Sequence, residues 1–299
     1  MKVIISRKGF DSGFGGVPSP ILEDNSFISL PIPGDSLTPY NNIKTDFAIF
    51  PDMLNDLTKG KITGDHFVHF DPDLNSVNLS RKEGWLPSLG QTGSAQGHLD
   101  AQNVDKGDIF LFFGWFRQTI FENGQHKYLP GSPNLHVLFG YLQIGEILRL
   151  GSNPIESEII KDYPWLEGHP HLYGTRDKNN CIYIANKNLI LDGAKTPLPG
   201  GMHFPKFSPE LCLTAKNQPS RTLWKVPSWL KSPEEGCDKL SYHLDPARWS
   251  TDIYGDTLLQ TVAKGQEFVI NLHDSTDFKE WFLSVTPKPE IQSRKKFKI

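Results

Sequence analysis

Gly107-Asp108-Ile109-Phe110-Leu111-Phe112-Phe113-Gly114-Trp115-Phe116-Arg117 and His136-Val137-Leu138-Phe139-Gly140-Tyr141-Leu142-Gln143-Ile144-Gly145-Glu146 are the two stretches that decide the fold. Each is a run of aliphatic and aromatic residues too continuous for a sheet with one wet face, so both read as strands buried on two sides. Asn123-Gly124 between them is a hairpin signal. Gly114 and Gly140 relieve crowding or let the strands bend. The polar ends Arg117, Gln143 and Glu146 are what remains for function.

Outward from this pair, residues 3–6 read as a short buried strand, and residues 27–32, 66–70, 181–185, 188–191, 211–214 and 268–272 as further strands. The strands at 181–185 and 188–191 are close enough to pair. Three helices are predicted: 52–59 with Asp52 as cap and Gly60 as stop, 94–104 capped by Ser94, and 277–283 capped by Ser275 with Phe278, Trp281 and Phe282 on one face. The fold class that follows is α+β: a β-rich, bent, mostly antiparallel sheet with a few short helices. No repeat or linker divides the chain, so residues 1–290 read as a single domain and 291–299, ending Arg294-Lys295-Lys296-Phe297-Lys298-Ile299, as a basic tail.

Of the 299 residues, 37% are hydrophobic and the formal net charge is −3, which excludes a broadly basic nucleic-acid coat and leaves only local DNA contact. Cys181, Cys212 and Cys237 form no Cys-x-x-Cys pair, so neither a disulfide framework nor a zinc ribbon is supported. No stretch approaches the roughly 20 apolar residues of a membrane span. The opening Met1-Lys2-Val3-Ile4-Ile5-Ser6 turns polar too soon for a signal peptide, and a cytoplasmic setting is expected.

Chemistry concentrates in a few segments. The loop Arg7-Lys8-Gly9-Phe10-Asp11-Ser12-Gly13 places charge, hydroxyl and free amides at a strand end, where Arg7 or Lys8 would pair with a phosphate. In His69-Phe70-Asp71-Pro72-Asp73 an extended backbone puts His69 and Asp71 on one face. That is two thirds of a 2-His-1-carboxylate iron site, and His169, His171, His203 or His243 could each complete it. Asp-Pro-Asp is also ordinary turn chemistry, and His243-Leu244-Asp245 repeats the pattern, so spacing alone leaves the metal question open. Gly90-Gln91-Thr92-Gly93-Ser94-Ala95-Gln96-Gly97-His98 brings Gln91, Gln96 and His98 to a helix start, where amide side chains suit the edge of a base.

These segments, with Pro18-Ser19-Pro20-Ile21, His169-Pro170-His171, Leu240-Ser241-Tyr242-His243 and Gly265-Gln266-Glu267-Phe268, occur in order across nearly the whole chain. The series resembles the third nucleotide-modification-associated domain family, whose members are described as DNA base hypermodification proteins of bacteria and their phages. The resemblance implies a site drawn from Arg7, Asp11, His69, Asp71, Gln96, His98, Arg117, Gln143, His169 and His171, and supplies no settled reaction. Leu89-Gly90-Gln91 departs from the expected Ala-Phe-Gly-Gln-like segment, which keeps Gln91 and questions the packing around it. The two long strands also loosely resemble the small PUA-like barrels that hold modified or flipped bases.

The leading expectation is an enzyme acting on a nucleotide or flipped DNA base, among the partner proteins of a DNA-modification system. Arg7, Lys8, Ser12 or Arg117 would hold phosphate, and Gln91, Gln96 and Gln143 would read the base. Asp11, His69, Asp71, His98, His169 and His171 would move protons. The alternatives are a non-enzymatic reader built as a dry aromatic cage, and an iron-dependent oxygenase using His69, Asp71 and a distal histidine. No cofactor is assigned.

Overall fold

The computed structural model describes residues 1–34, 36–45, 50–218, 220–227, 229–230, 240–262, 267–272 and 275–287. Cys237, Gly265-Gln266 and the tail at 291–299 lie outside the described residues. Strands β1 (Lys2–Arg7), β2 (Ser19–Ile21), β3 (Ser88–Gln91), β4 (Ile109–Glu122), β5 (Gln125–Tyr128), β6 (Leu135–Arg149) and β7 (Cys181–Ala185) come first. They are followed by β8 (Asn188–Leu191), β9 (Ala194–Pro199), β10 (Gly201–His203), β11 (Leu223–Lys225), β12 (Trp249–Thr251), β13 (Thr257–Gln260) and β14 (Glu267–Asn271). Helices α1 (Phe50–Thr58), α2 (Gly93–Ala101), α3 (Glu156–Asp162) and α4 (Thr276–Val285) are short.

The fold is α+β and β-rich. Its main sheet runs β14-β1-β4-β6-β7-β3, with β2 and β5 also on β4 and β10 on β6, and it closes into no barrel among the described residues. The sheet is mixed: β1 and β2 lie parallel to β4, while its other pairs are antiparallel. β4 is central because both its faces are apolar. Phe110 and Phe112 stack toward Phe139 on one side, and Phe113 meets Trp224 and Phe268 on the other. Each of these fully buried phenylalanines contributes about 2–3 kcal/mol of apolar burial. Gly140 pairs with Phe112, and a Cβ there would stand 2.6 Å from the Met202 carbonyl and 2.7 Å from Leu74, so β10 can lie against β6 only where the side chain is missing.

Several local expectations are revised. Asn123-Gly124 turns β4 into β5 rather than directly into β6. β7 inserts between β6 and β3, and β8 pairs with β9, so 181–185 and 188–191 do not pair with each other. Residues 27–32 and 66–70 form isolated bridges instead of strands. Pro33 and Pro39, which sit opposite Val68 and Phe67, have no N–H to continue a ladder. Residues 211–214 likewise give a 3-10 turn at Pro209–Leu211 followed by single bridges at Cys212 and Thr214. α1 starts at Phe50, ahead of Asp52. α2 starts at Gly93 and stops at Ala101, with no cap bond from the Thr92 side chain. Asn179 serves instead, accepting from Gly93 N at 2.9 Å and donating to Gly93 O at 2.8 Å. Ser275 makes no side-chain cap bond to α4, although Phe278 and Phe282 are buried as expected.

β3 is the end of the main sheet, and the chain at 71–73 continues that edge. Asp73 and Ser88 exchange both backbone bonds, at 2.9 and 3.0 Å. This edge carries the site. No helix among the described residues is long and apolar enough to cross a membrane.

Candidate functional site

Arg81 forks onto Asp73 with two bonds of 2.6 Å, and Trp85 Nε1 donates to the same carboxylate at 3.2 Å. Burial pushes the Asp73 carboxyl up, and Arg81 opposes that. With Asp73 pinned, the preceding Asp71 reaches the free edge of β3, where Gly90 N donates to its two oxygens at 2.9 and 3.0 Å. Asp71 is 9% exposed, so this backbone bond replaces water it has lost.

His171 arrives from a 3-10 turn at Pro170–Leu172 and lies across Gly90, where a Cβ would stand 2.1 Å from its ring. Only glycine at position 90 leaves room for the imidazole. Asn180 Nδ2 donates to the His171 carbonyl at 3.0 Å, so Asn180 Oδ1 accepts from His171 Nδ1, at 2.7 Å. The proton therefore sits on Nδ1, and Nε2 keeps a lone pair. That lone pair is 3.5 Å from Asp71 Oδ2. His69 Nε2 is 3.8 Å from the same oxygen, beyond hydrogen-bond distance. The His69 and His171 rings stand edge to face at 5.3 Å.

Burial pushes the Asp71 carboxyl up, but the surrounding His69, His171 and His169 pull it further down, to about 2. Burial lowers His171 to about 4, with Asp71 opposing, and lowers His169 to about 3. At neutral pH an ionised Asp71 carboxylate therefore lies beside uncharged His171 and His169 rings. The donor atoms of His69, Asp71 and His171 all lie within 4.8 Å of one another, which makes them the group among the described residues able to hold a metal ion.

The remaining expected site residues are dispersed. His169 Nδ1 accepts from His171 N at 3.2 Å, and its buried Nε2 has no hydrogen-bond partner among the described residues. Lys8 and Gln91 both donate to Glu267 Oε1, at 3.1 and 2.6 Å. Since Gly90 and Gln91 alternate along β3, that cluster lies across the backbone from His171. Arg7 stands 3.5 Å from Asp11, which also accepts from Gly13 N and Phe14 N, while Ser12 is exposed in the same turn. Gln96 is fully buried, donating to Asp100 and accepting from Cys181 Sγ and Tyr183 OH. Gln143 ties Gly107, Ile190 and Asn186 together. Arg117 Nε donates to Ser132 in the β5–β6 connection, and the His98 ring lies tilted against Tyr242 at 4.8 Å.

Sequence reasoning did not single out Gly90 as the seat of His171, Asn180 as its orienting partner, Arg81 or Phe67. A glycine just before Gln91 and an asparagine beside Cys181 carry no local signal for these roles. Phe67 is 53% exposed, two positions before His69 in an extended segment whose intervening Val68 is fully buried, so Phe67 and His69 face the same way.

No curated protein and no solved structure matches this chain. A family model does, over residues 2–271, a span that includes His69, Asp71, His171 and the strands that hold them. The chain belongs to the family of the nucleotide modification associated domain 3.

Proposed function

We propose that this protein modifies a nucleotide, or a base swung out of DNA, in a bacterial or phage DNA-modification pathway in the cytoplasm, with His69, Asp71 and His171 as its reaction centre. The observation that carries this reading is the buried, ionised Asp71 held between two imidazoles inside a nucleotide-modification-associated domain. A carboxylate and imidazoles in one cluster can accept and return protons on a nucleobase or sugar. Phe67, exposed beside half-buried His69, offers a face for a base to stack on. Arg7, partly exposed at the end of β1, is the proposed phosphate contact, and other proteins of the same pathway are the expected partners. If the substrate is duplex DNA, the base must leave the stack to reach Asp71.

The convergence of His69, Asp71 and His171 favours a metal-dependent version of this chemistry, of which the iron-dependent oxygenase is one form. The same cluster weighs against a non-enzymatic reader, which needs no titratable groups. The test compares cells carrying the wild-type chain with cells carrying Asp71→Asn. Their DNA is digested to nucleosides for mass spectrometry, and both proteins are incubated with nucleoside mono- and triphosphates. A nucleoside or nucleotide mass found only with the wild type is expected. Identical profiles overturn the proposal.

A further inference from the structure

We propose that His69 Nε2, Asp71 Oδ2 and His171 Nε2 bind one divalent first-row transition-metal ion, with Asn180 and Gly90 holding two of the three ligands in place. The inference deepens the function proposed above by naming what the reaction centre holds, and it stands on geometry that does not depend on the substrate.

The alternative to a metal is a structural histidine–carboxylate hydrogen bond, and the geometry disfavours it. His171 gives its Nδ1 proton to Asn180, and its Nε2 stands 3.5 Å from Asp71 Oδ2, well beyond the roughly 2.7–2.9 Å of a charge-assisted histidine–carboxylate bond. Two potential ligand atoms at that distance, both removed from water, are satisfied together by a cation between them. His69 approaches the same oxygen to 3.8 Å without bonding it. An ion with bonds of about 2.1 Å brings its donors to roughly 3–3.5 Å from one another. The His171 pair is already at that spacing, His69 Nε2 stands 3.8 Å from the same oxygen, and all three donor atoms lie within 4.8 Å of one another, so the partly exposed His69 ring closes the set by turning inward.

The surroundings are those of a built ligand set. A metal-bound imidazole nearly always gives its other ring N–H to a fixed oxygen, which orients the ring and sets the tautomer. Asn180, 1% exposed and itself anchored on the His171 carbonyl, does this. The Asp71 carboxylate is likewise oriented by Gly90 N. Two imidazoles and one carboxylate suit iron, manganese, cobalt or zinc better than calcium or magnesium, which prefer oxygen alone. Three protein ligands leave coordination positions free for water or a substrate oxygen.

The test adds Co2+ to the chelator-treated full chain and follows the visible absorption of the bound ion. One equivalent is expected to bind, to be displaced by Zn2+, and to raise the thermal midpoint. His69→Ala removes a partly exposed ligand, and Asp71→Asn keeps an acceptor for Gly90 N. Each is expected to weaken binding on the order of 100-fold or more and to abolish the thermal shift while retaining the wild-type circular dichroism. Failure of the wild type to bind one equivalent, or equal binding by the folded variants, overturns the inference. Metal binding without any change in the nucleoside profiles would instead retain the site and overturn the proposed function.

Discussion

His171 Nε2 faces Asp71 Oδ2 across 3.5 Å with its lone pair forward, because Asn180 takes the ring proton on the opposite side. Three parts of the chain meet in that relationship: the edge strand β3, the Asp-Pro-Asp segment that extends the edge, and a turn about a hundred residues further on. Gly90 serves both ligands, giving its N–H to Asp71 and its empty face to His171.

Asn180 should matter more to the ligands than to the fold around them. Asn180→Ala leaves all three candidate ligands in place but frees the ring of His171. Metal affinity is expected to fall about 10- to 100-fold, with roughly 1–3 kcal/mol of stability lost to the unpaired buried N–H. Calorimetric metal titration and urea unfolding measure the two effects separately. Unchanged affinity would mean that Asn180 does not orient the ring.

Gly90→Ala would place a methyl group 2.1 Å from the His171 ring. Because the neighbour is a buried ring hydrogen-bonded at its far side, it cannot simply swing aside. The expected cost is about 1–3 kcal/mol of overpacking, together with loss of the Co2+ spectrum. Thermal melting and absorption check it.

Phe67→Ala should separate substrate binding from folding. The side chain is 53% exposed, so stability should change by less than about 0.5 kcal/mol. A lost stacking platform would weaken binding of a nucleotide or short single strand by about 1–3 kcal/mol. Fluorescence anisotropy with labelled nucleotides gives the answer, and an unchanged affinity would remove Phe67 from the substrate face.

His203 should make the protein acid-sensitive. It lies between the Phe27 and Phe139 rings with Nε2 buried and unpartnered among the described residues, and burial lowers it from 6.5 to about 4. Between those values the unfolded chain takes up a proton that the folded chain does not. The neutral ring's contribution is therefore complete above about pH 6.5 and is lost as pH falls toward 4, by roughly 3 kcal/mol. Urea unfolding at pH 7 and pH 4.5 should show a smaller acid loss in His203→Leu than in the wild type. Equal losses would contradict this assignment.

The parts of this molecule set by local pattern were legible in the sequence. β4 and β6 follow from apolar runs that leave no wet face. His69 and Asp71 do come together, but through a tight turn in which Asp71 N donates to the His69 carbonyl at 3.0 Å and not through the extended segment their spacing suggested. The distal histidine was not legible. Four candidates had similar surroundings in sequence, and His171 wins only because β7 inserts between β6 and β3 and brings Gly90 beneath it. Gln96 and Gln143 read as base-reading amides because they sit near glycines and strand ends. In the folded chain Gln96 is engaged by Asp100 one turn along its own helix and, with Gln143, by Cys181, Tyr183, Ile190 and Asn186, contacts that depend on tertiary pairing.

Anomalous diffraction from crystals of protein purified without chelator tests the central claim most directly. A single peak is expected about 2.1 Å from His69 Nε2, Asp71 Oδ2 and His171 Nε2, with its absorption edge identifying the metal. After soaking in iron, cobalt and zinc salts, density that still shows no ion there, with His171 Nε2 donating directly to Asp71, would contradict it.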